Sequence, residues 1–181
     1  RVNGLLQAMD EYPVLKPEES EELIYSVMTD EQVAQFESEK ECDMSFGVKD
    51  LSRFRLNVYR DRGSVVAAFR AIPFEIKSPE ELGLPRAAID FAYRPVGLVL
   101  VCGPTGSGKS TTLAGIIDRI NSERPVHVIT VEDPIEYLHQ HRVATINQRE
   151  LHADTKSFAA ALKYILRQDP DVIFIGEMRD P

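Results

Sequence analysis

The octapeptide Gly103–Ser110, GPTGSGKS, constrains the fold of this chain more than any other stretch. Its spacing, G-x-x-x-x-G-K-S, is the phosphate-binding P-loop pattern, which requires a strand before the loop and a helix after it. The apolar run Val96–Cys102 predicts a buried parallel strand, and Ser110–Ile120 predicts the helix. Glycines allow successive backbone N–H groups to converge on phosphates at the positive end of that helix. The sequence therefore predicts a nucleotide site.

Within the loop, two side chains have distinct expected roles. Lys109 is expected to neutralise β- and γ-phosphate oxygens as a catalytic group, and the Ser110 hydroxyl is expected to bind Mg²⁺. The predicted nucleotide-binding residues of this segment are Gly103, Pro104, Thr105, Gly106, Ser107, Gly108, Lys109, Ser110 and Thr111.

Charge and cysteine usage narrow the class of P-loop protein. The net charge is −8, with Lys and Arg scattered along the chain, which argues against nucleic acid as the main partner. Two distant cysteines, Cys42 and Cys102, fit a reducing cytoplasm rather than a disulfide framework. No apolar run reaches the roughly 18–20 residues that span a bilayer, and no signal peptide is recognisable. Because the chain starts at an arginine and stops shortly after Gly176, we expect a segment of a longer protein.

The first part of the chain predicts helices followed by strands. Lys16–Glu22 places a proline and carboxylates in a first helical turn, and Thr29–Gln32 has the capping-box pattern of a second helix. The acidic run is expected to be a solvated helix start, although a docking surface for a basic partner has the same pattern. Apolar residues then alternate from Asp43 to Val58, and Ser64–Ile72 predicts another strand after the turn Asp61–Gly63.

This order predicts two domains and a connection. Residues 1–76 are expected to form a small α+β domain in which helices cover one face of an antiparallel sheet. Ser78–Pro85 contains two prolines and a glycine and marks the boundary. Residues 77–95 are expected to be a linker with a short helix over Arg86–Tyr93. Residues 96–181 are expected to be the P-loop domain, incomplete at its C-terminal end.

Arginines lie on one face of the predicted sheet. Arg53 and Arg55 alternate with Phe54 and Leu56, and Arg70 lies on the next strand. They form either an ordinary solvent face or a face directed at phosphates, including phosphates bound by a neighbouring subunit. Arginines of the second kind stabilise the charge that develops during phosphoryl transfer.

The second part of the chain alternates strands and helices. Strands are predicted at Val126–Val131, Val143–Ile146 and Asp171–Ile175, and a helix capped by Asp154 or Thr155 is predicted around residues 158–166. This alternation predicts an α/β domain with a mostly parallel sheet.

Carboxylates follow two of these strands. Glu132, Asp133 and Glu136 follow one strand and Glu177 follows another, and ligands of open α/β sheets bind beyond the carboxyl ends of strands. One carboxylate is needed to orient or deprotonate water, and another to hold the shell of a metal ion. Such acids elsewhere are helix caps or turn formers, but their place beside a P-loop favours the catalytic interpretation. Glu132 and Asp133 are therefore included among the nucleotide-binding residues, with ATP and Mg²⁺ as the cofactors.

The histidines give no metal signal. His139 and His141 are one residue apart without further ligands at suitable spacing, so both are expected on the surface.

Three motifs taken together resemble the secretion ATPases of type II secretion and type IV pili. Details favour the pilus-retraction (twitching-motility) branch: Ile135, Asn147–Glu150 and Met178, with Ser52–Asn57 and Phe69–Pro73 in the first domain. The motifs, which correspond to the Walker A, Asp box and Walker B elements of that family, are Gly103–Thr112, Thr130–Glu136 and Leu166–Asp180.

The resemblance implies a PAS-like N-terminal domain, a RecA-like ATPase core and a cytoplasmic hexameric ring in which each N-terminal domain packs on a neighbouring ATPase domain. It implies that Glu136 activates water, that Glu177 helps to place Mg²⁺, and that Arg55 and Arg70 approach the nucleotide. It also implies a pilus platform protein of the inner membrane as partner. The family's His box and C-terminal arm would follow Pro181. The implied function is Mg²⁺-dependent ATP hydrolysis that powers pilus retraction. Two alternatives stay open: a pilus-assembly, secretion or accessory ATPase of the same family, and a nucleotide-dependent switch without productive turnover.

Overall fold

A computed structural model of the chain describes residues 5–48, 52–72 and 75–177. The chain divides into two compact units, the first made of residues 1–46 and 54–70 and the second of residues 47–53 and 71–181. The mixed α/β character predicted from the sequence is confirmed.

Two capped helices open the first unit. α1 spans Pro17–Tyr25, with its proline in the first turn. α2 spans Asp30–Glu39 and begins with the predicted capping box: Gln32 N donates to Thr29 Oγ1 at 3.3 Å, and Thr29 N donates to Gln32 Oε1 at 2.9 Å. These reciprocal bonds satisfy N–H groups that a helix start leaves without partners. Both predicted helices are thus confirmed.

The three strands that follow form one sheet. They are β1 (Glu41–Val48), β2 (Ser52–Asp61) and β3 (Ser64–Ile72), in the order β1-β2-β3. Arg62 and Gly63, which join β2 to β3, both have positive φ, 49° and 88°, as in the type I′ turns that close antiparallel hairpins. Helix and strand side chains share one apolar core, whose buried members are Ile24, Phe36, Cys42, Met44, Leu56, Val58 and Val65.

Residues 77–95 pack within the second unit. They contain α3 (Arg86–Ile89) and a 3-10 helix (Asp90–Tyr93), where the sequence predicts one short helix. Ala92 is fully buried beside Ile116 and Ile120 of the helix that follows the P-loop. The functional boundaries at residues 1–76, 77–95 and 96–181 stay a prediction.

A parallel sheet forms the centre of the second unit. The helix α4 (Lys109–Glu123) precedes β4 (His127–Glu132) and β5 (Thr145–Glu150), and α5 (Phe158–Ile165) precedes β6 (Val172–Ile175). The strand order is β5-β4-β6, and β4 runs parallel to both neighbours. β4 is the most buried strand of this sheet and lies in the middle, where both of its faces are covered. The predicted parallel sheet is confirmed.

The strand predicted at Val96–Cys102 is wrong for the described residues. This segment is irregular, Val96 and Leu98 are each 84% exposed, and Cys102 is exposed. An apolar run becomes a strand only where a neighbour supplies hydrogen bonds, and no strand of the described residues pairs with this run.

Two local predictions are also corrected. β5 starts two residues later than predicted and runs to Glu150, so Asn147–Glu150 lies inside the strand. The cap of α5 is Ser157, whose hydroxyl accepts from Ala160 N at 3.0 Å, and not Asp154 or Thr155. Asp154 instead accepts from Glu150 N at 2.8 Å, because its carboxylate lies at the turn after β5.

Candidate functional site

The P-loop connects directly to the N-terminus of α4. Gly106 and Gly108 have φ of 79° and 93°, a backbone conformation that residues with a Cβ rarely adopt. A Cβ on Gly103 would lie 2.7 Å from Ser107 Oγ, so this glycine permits a close approach across the loop. The loop therefore has the backbone shape that its glycines predict.

The side chains of the loop present a cation and hydroxyls at the helix start. Lys109 Nζ donates to the carbonyl oxygens of Gly103 at 2.8 Å and Pro104 at 2.9 Å, which holds the ammonium group across the loop. Ser110 is exposed in the first turn of α4. Thr111 Oγ1 lies 3.1 Å from the hydroxyl of Tyr137. The last contact connects the P-loop helix to the segment after β4.

That segment begins at a buried carboxylate. Glu132, 7% exposed at the end of β4, accepts from Thr130 Oγ1 at 2.7 Å and from Gln148 Nε2 at 3.1 Å. The backbone N–H of Glu136 lies near enough to this carboxylate to lower its pKa. Burial nevertheless raises the pKa of Glu132 above its ordinary value, and the hydrogen bonds only partly oppose this. Glu132 thus lies directly beside the acidic segment Asp133–Glu136, the acidic loop.

A second carboxylate holds the same loop from β5. Glu150 Oε2 accepts from the backbone N–H of Ile135 at 3.0 Å and pairs with Arg53 Nη2. The side chains of Arg53 and Glu150 are 19% and 13% exposed, and both residues belong to the second unit. The backbone N–H of Ile135, the residue before Glu136, is therefore bound by a glutamate of β5.

The end of β6 lies against the end of β4. Gly176 N donates to Val131 O at 2.8 Å, and a Cβ on Gly176 would lie 3.2 Å from the Cα of Glu132. Glu177 is half-buried and follows directly. The structure thus brings the carboxyl ends of β4 and β6 together, as the parallel pattern predicts.

The predicted arginines belong to the first unit. Arg55 Nη2 lies 3.8 Å from Asp43 Oδ2, with its side chain 31% exposed, and Arg70 is exposed on β3. Their approach to a nucleotide stays a prediction.

The prediction for one histidine is wrong. The side chain of His139 is only 4% exposed, with Nδ1 3.9 Å from Asp118, and burial lowers its pKa. It is buried because the chain after the acidic loop folds back onto α4 and β5, where His139 N donates to Gln148 Oε1 at 2.7 Å. His141 is exposed, as predicted, and accepts the Ile146 N–H through Nδ1.

The described residues, 5–48, 52–72 and 75–177, contain neither a membrane-spanning helix nor a metal-binding cluster of side chains. None of the helices there combines the length and apolar character needed to cross a bilayer. The same residues contain no group of three or more His, Cys, Asp or Glu side chains arranged to hold a metal ion. A magnesium site at a P-loop needs no such group, because phosphate oxygens and water supply most of its ligands.

Residues 81–181 match the family described as Type II/IV secretion system protein. The chain belongs to this family. The match covers the P-loop, the acidic loop and β6, the same elements that the fold brings together.

Related proteins align with nearly the full length of this chain. A twitching motility protein of Neisseria gonorrhoeae is 48% identical over all 181 residues, and a type IV pilus retraction ATPase, PilT, of Pseudomonas aeruginosa is 44% identical over 180 residues. A crystal structure of the pilus retraction motor PilT with bound ADP covers 99% of this chain with a TM-score of 0.95 and 50% identity. The chain spans about half the length of these proteins, 48%, 52% and 52% respectively.

Sequence reasoning missed the residues that hold the acidic loop in this family member. Glu150 binds the loop from β5 and pairs with Arg53. Gln148 donates to Glu132 before the loop and to Tyr137 O after it, and Tyr137 contacts Thr111. One signal was available: Gln148 and Glu150 are two residues apart and therefore share a face of any strand that contains both.

Proposed function

We propose that this chain is the nucleotide-hydrolysing part of a Mg²⁺-dependent ATPase that powers type IV pilus retraction. The observation that carries the proposal is the contact between Thr111 of the P-loop helix and Tyr137, which follows Glu136. The contact supports the proposal because it joins the helix that follows the phosphate-binding loop to the residue next to Glu136, the carboxylate proposed to act on water. Both the names of the relatives and the ADP in the related crystal structure support this assignment.

Each residue of the site has a definite task in the proposal. Lys109 binds the β- and γ-phosphates, exchanging its present carbonyl partners for phosphate oxygens. Glu136 orients the attacking water and accepts its proton. The backbone N–H groups of residues 103 and 105–111 surround the phosphates, since Pro104 has none to donate, and Asp133 is a further nucleotide-binding residue. The acidic loop is bound in advance at the Ile135 N–H, so little reorganisation is needed at the moment of reaction.

The donor set fits magnesium. The Ser110 hydroxyl and the Glu177 carboxylate are hard oxygen ligands of the kind Mg²⁺ prefers, one at the start of α4 and one just after β6. When bound, Mg²⁺ would neutralise charge on the transferring phosphate. Ser110 and Glu177 would hold it.

The wider assembly is also part of the proposal. We assign a PAS-like fold to the first domain and a RecA-like fold to the second. Arg55 and Arg70 reach the nucleotide of a neighbouring subunit in a cytoplasmic hexameric ring, which acts on a platform protein of the inner membrane. The pilus-assembly alternative is less favoured because Ile135 and Asn147–Glu150 are typical of the retraction branch; Met178, the third such marker, lies outside the described residues.

Steady-state hydrolysis by the full-length protein tests the enzyme assignment. Lys109→Ala is expected to abolish nucleotide binding, whereas Glu136→Ala is expected to bind ATP and lose turnover. Unchanged turnover in both variants would refute the catalytic assignment, and a wild-type protein that binds ATP without hydrolysing it would favour the switch.

A strain that lacks this protein tests whether the motor retracts or assembles the pilus. Retraction predicts cells that carry excess pili and do not twitch. Cells without pili would instead support the assembly alternative.

A further inference from the structure

Glu136 follows a residue whose backbone is held by an ion pair. The Ile135 N–H donates to Glu150 Oε2 at 3.0 Å, and the same oxygen pairs with Arg53 Nη2. A carboxylate that accepts from a backbone N–H and a guanidinium together makes charge-assisted bonds, which are shorter and stronger than neutral ones. The position of residue 135 is therefore set by a side chain of β5 and one of β2.

The Arg53–Glu150 ion pair is well placed to fix the position of the acidic loop. Both side chains are largely buried, at 19% and 13% exposed, so solvent screens their attraction less than that of a surface pair. Glu150 is fixed at its own backbone as well, because Glu150 N donates to Asp154 Oδ2 at 2.8 Å. Glu150 therefore offers the loop a rigid acceptor.

We infer that Arg53 and Glu150 are positioning residues for hydrolysis, which fix the acidic loop so that Glu136 faces the attacking water. The inference rests on the proposed function. It differs from the interpretation of Arg53 as a phosphate-directed arginine, because its guanidinium binds a carboxylate of the same unit. Glu150 acts through the Ile135 backbone.

The test measures turnover and nucleotide affinity of the full-length protein separately. Glu150→Gln and Arg53→Met are each expected to lower kcat by about tenfold to a hundredfold, the effect of a small misplacement of a reacting group. The dissociation constant for a fluorescent ATP analogue is expected to stay at the wild-type value, because the P-loop is untouched. Arg53→Lys keeps the charge without the planar fork and is expected to lie between wild type and Arg53→Met.

Glu80→Gln is the matched control. Glu80 pairs with Arg119 in the same unit, at a surface position away from the acidic loop, and its variant is expected to keep the wild-type kcat. A fall in kcat for Glu150→Gln that matched a loss of ATP affinity would overturn the inference, as would wild-type kcat in both Arg53→Met and Glu150→Gln.

The double variant Arg53→Met with Glu150→Leu distinguishes an effect on folding from an effect on the position of Glu136. Replacing a buried ion pair by apolar side chains of similar volume often costs little stability. The Ile135 N–H loses its acceptor in this variant, so the thermal midpoint is expected to fall modestly while the protein stays folded at the assay temperature. If the pair positions Glu136, kcat of this folded variant stays low. Recovery of kcat along with stability would show a merely structural role. Loss of turnover in Glu136→Ala, with none in these variants, would refute the inference and leave the proposed function intact.

Discussion

Gly176→Ala tests the close contact between the ends of β4 and β6. The added Cβ would lie 3.2 Å from the Cα, 3.3 Å from the Cγ and 3.4 Å from the Cβ of Glu132. These separations are shorter than ordinary van der Waals contact, so Glu132 must move by a few tenths of an ångström. The nearest atom is backbone in the central strand of the sheet, which cannot move alone because β4 pairs on both sides.

The expected change in the free energy of unfolding of Gly176→Ala follows from two opposing effects. Overpacking of a tight site costs about 1–3 kcal/mol. Replacing Gly by Ala restricts the unfolded chain and returns about 0.4–1 kcal/mol. Because a backbone atom blocks the Cβ, we expect a net destabilisation of about 1–2 kcal/mol, which corresponds to roughly 2–8 °C in the thermal midpoint for a protein of this size.

Gly47→Ala is the matched control. Gly47 lies in β1, and a Cβ there would meet no atom within 4 Å. This variant is expected to be neutral or slightly more stable. The difference between the two variants isolates the strain at residue 176.

Far-ultraviolet circular dichroism follows the unfolding, since the chain contains no Trp for fluorescence. Turnover of the full-length protein is measured in parallel and is expected to fall for Gly176→Ala, because Glu132 is joined through Gln148 to Tyr137, the residue that follows Glu136. Equal stability of the two variants would refute the packing argument. Lower stability with wild-type turnover would refute the link from Glu132 to the site.

Three further changes test other parts of the molecule. Tyr137→Phe removes the hydroxyl contact with the P-loop helix and is expected to lower kcat, whereas Tyr164→Phe, at a residue 54% exposed, is expected to leave hydrolysis unchanged; equal turnover in the two variants would count against the contact. Burial raises the folded-state pKa of Glu132, so its contribution favours folding below the ordinary value of 4.5 and is lost as pH rises through the raised pKa. Glu132→Gln is therefore expected to flatten the fall in unfolding free energy over that window, and denaturant titrations that show the same slope in both proteins would contradict this. Phe36→Ala empties a fully buried site and is expected to cost about 3–5 kcal/mol in denaturant unfolding, whereas a loss below 1 kcal/mol would contradict its place in the core.

Local chemistry was readable from the sequence. Thr29 and Gln32 predicted a capping box, and the structure has both bonds, because a cap depends only on residues within one turn. The glycines of the P-loop predicted positive φ in the same way, since only the backbone of the loop itself is involved. Parallel pairing of β4 with β6 also followed from the alternation of strands and helices.

Long-range pairing required the tertiary structure. The run Val96–Cys102 has the composition of a buried strand, yet it is exposed in the described chain, because composition does not specify which neighbour pairs with it. His139 was expected on the surface for the same reason. Its burial depends on contacts with Asp118 of α4 and Gln148 of β5, which short spacing in the sequence does not reveal.

Residue type and short spacing were enough to predict the phosphate loop, the acidic residues after β4 and β6, and the sequence of helices and strands from α4 to β6. The contacts that hold the acidic loop could not be predicted in this way. Arg53 and Glu150 are 97 positions apart, and their pairing depends on packing between residues distant in the sequence. Charge and periodicity give each residue a set of possible partners, and packing selects one of them.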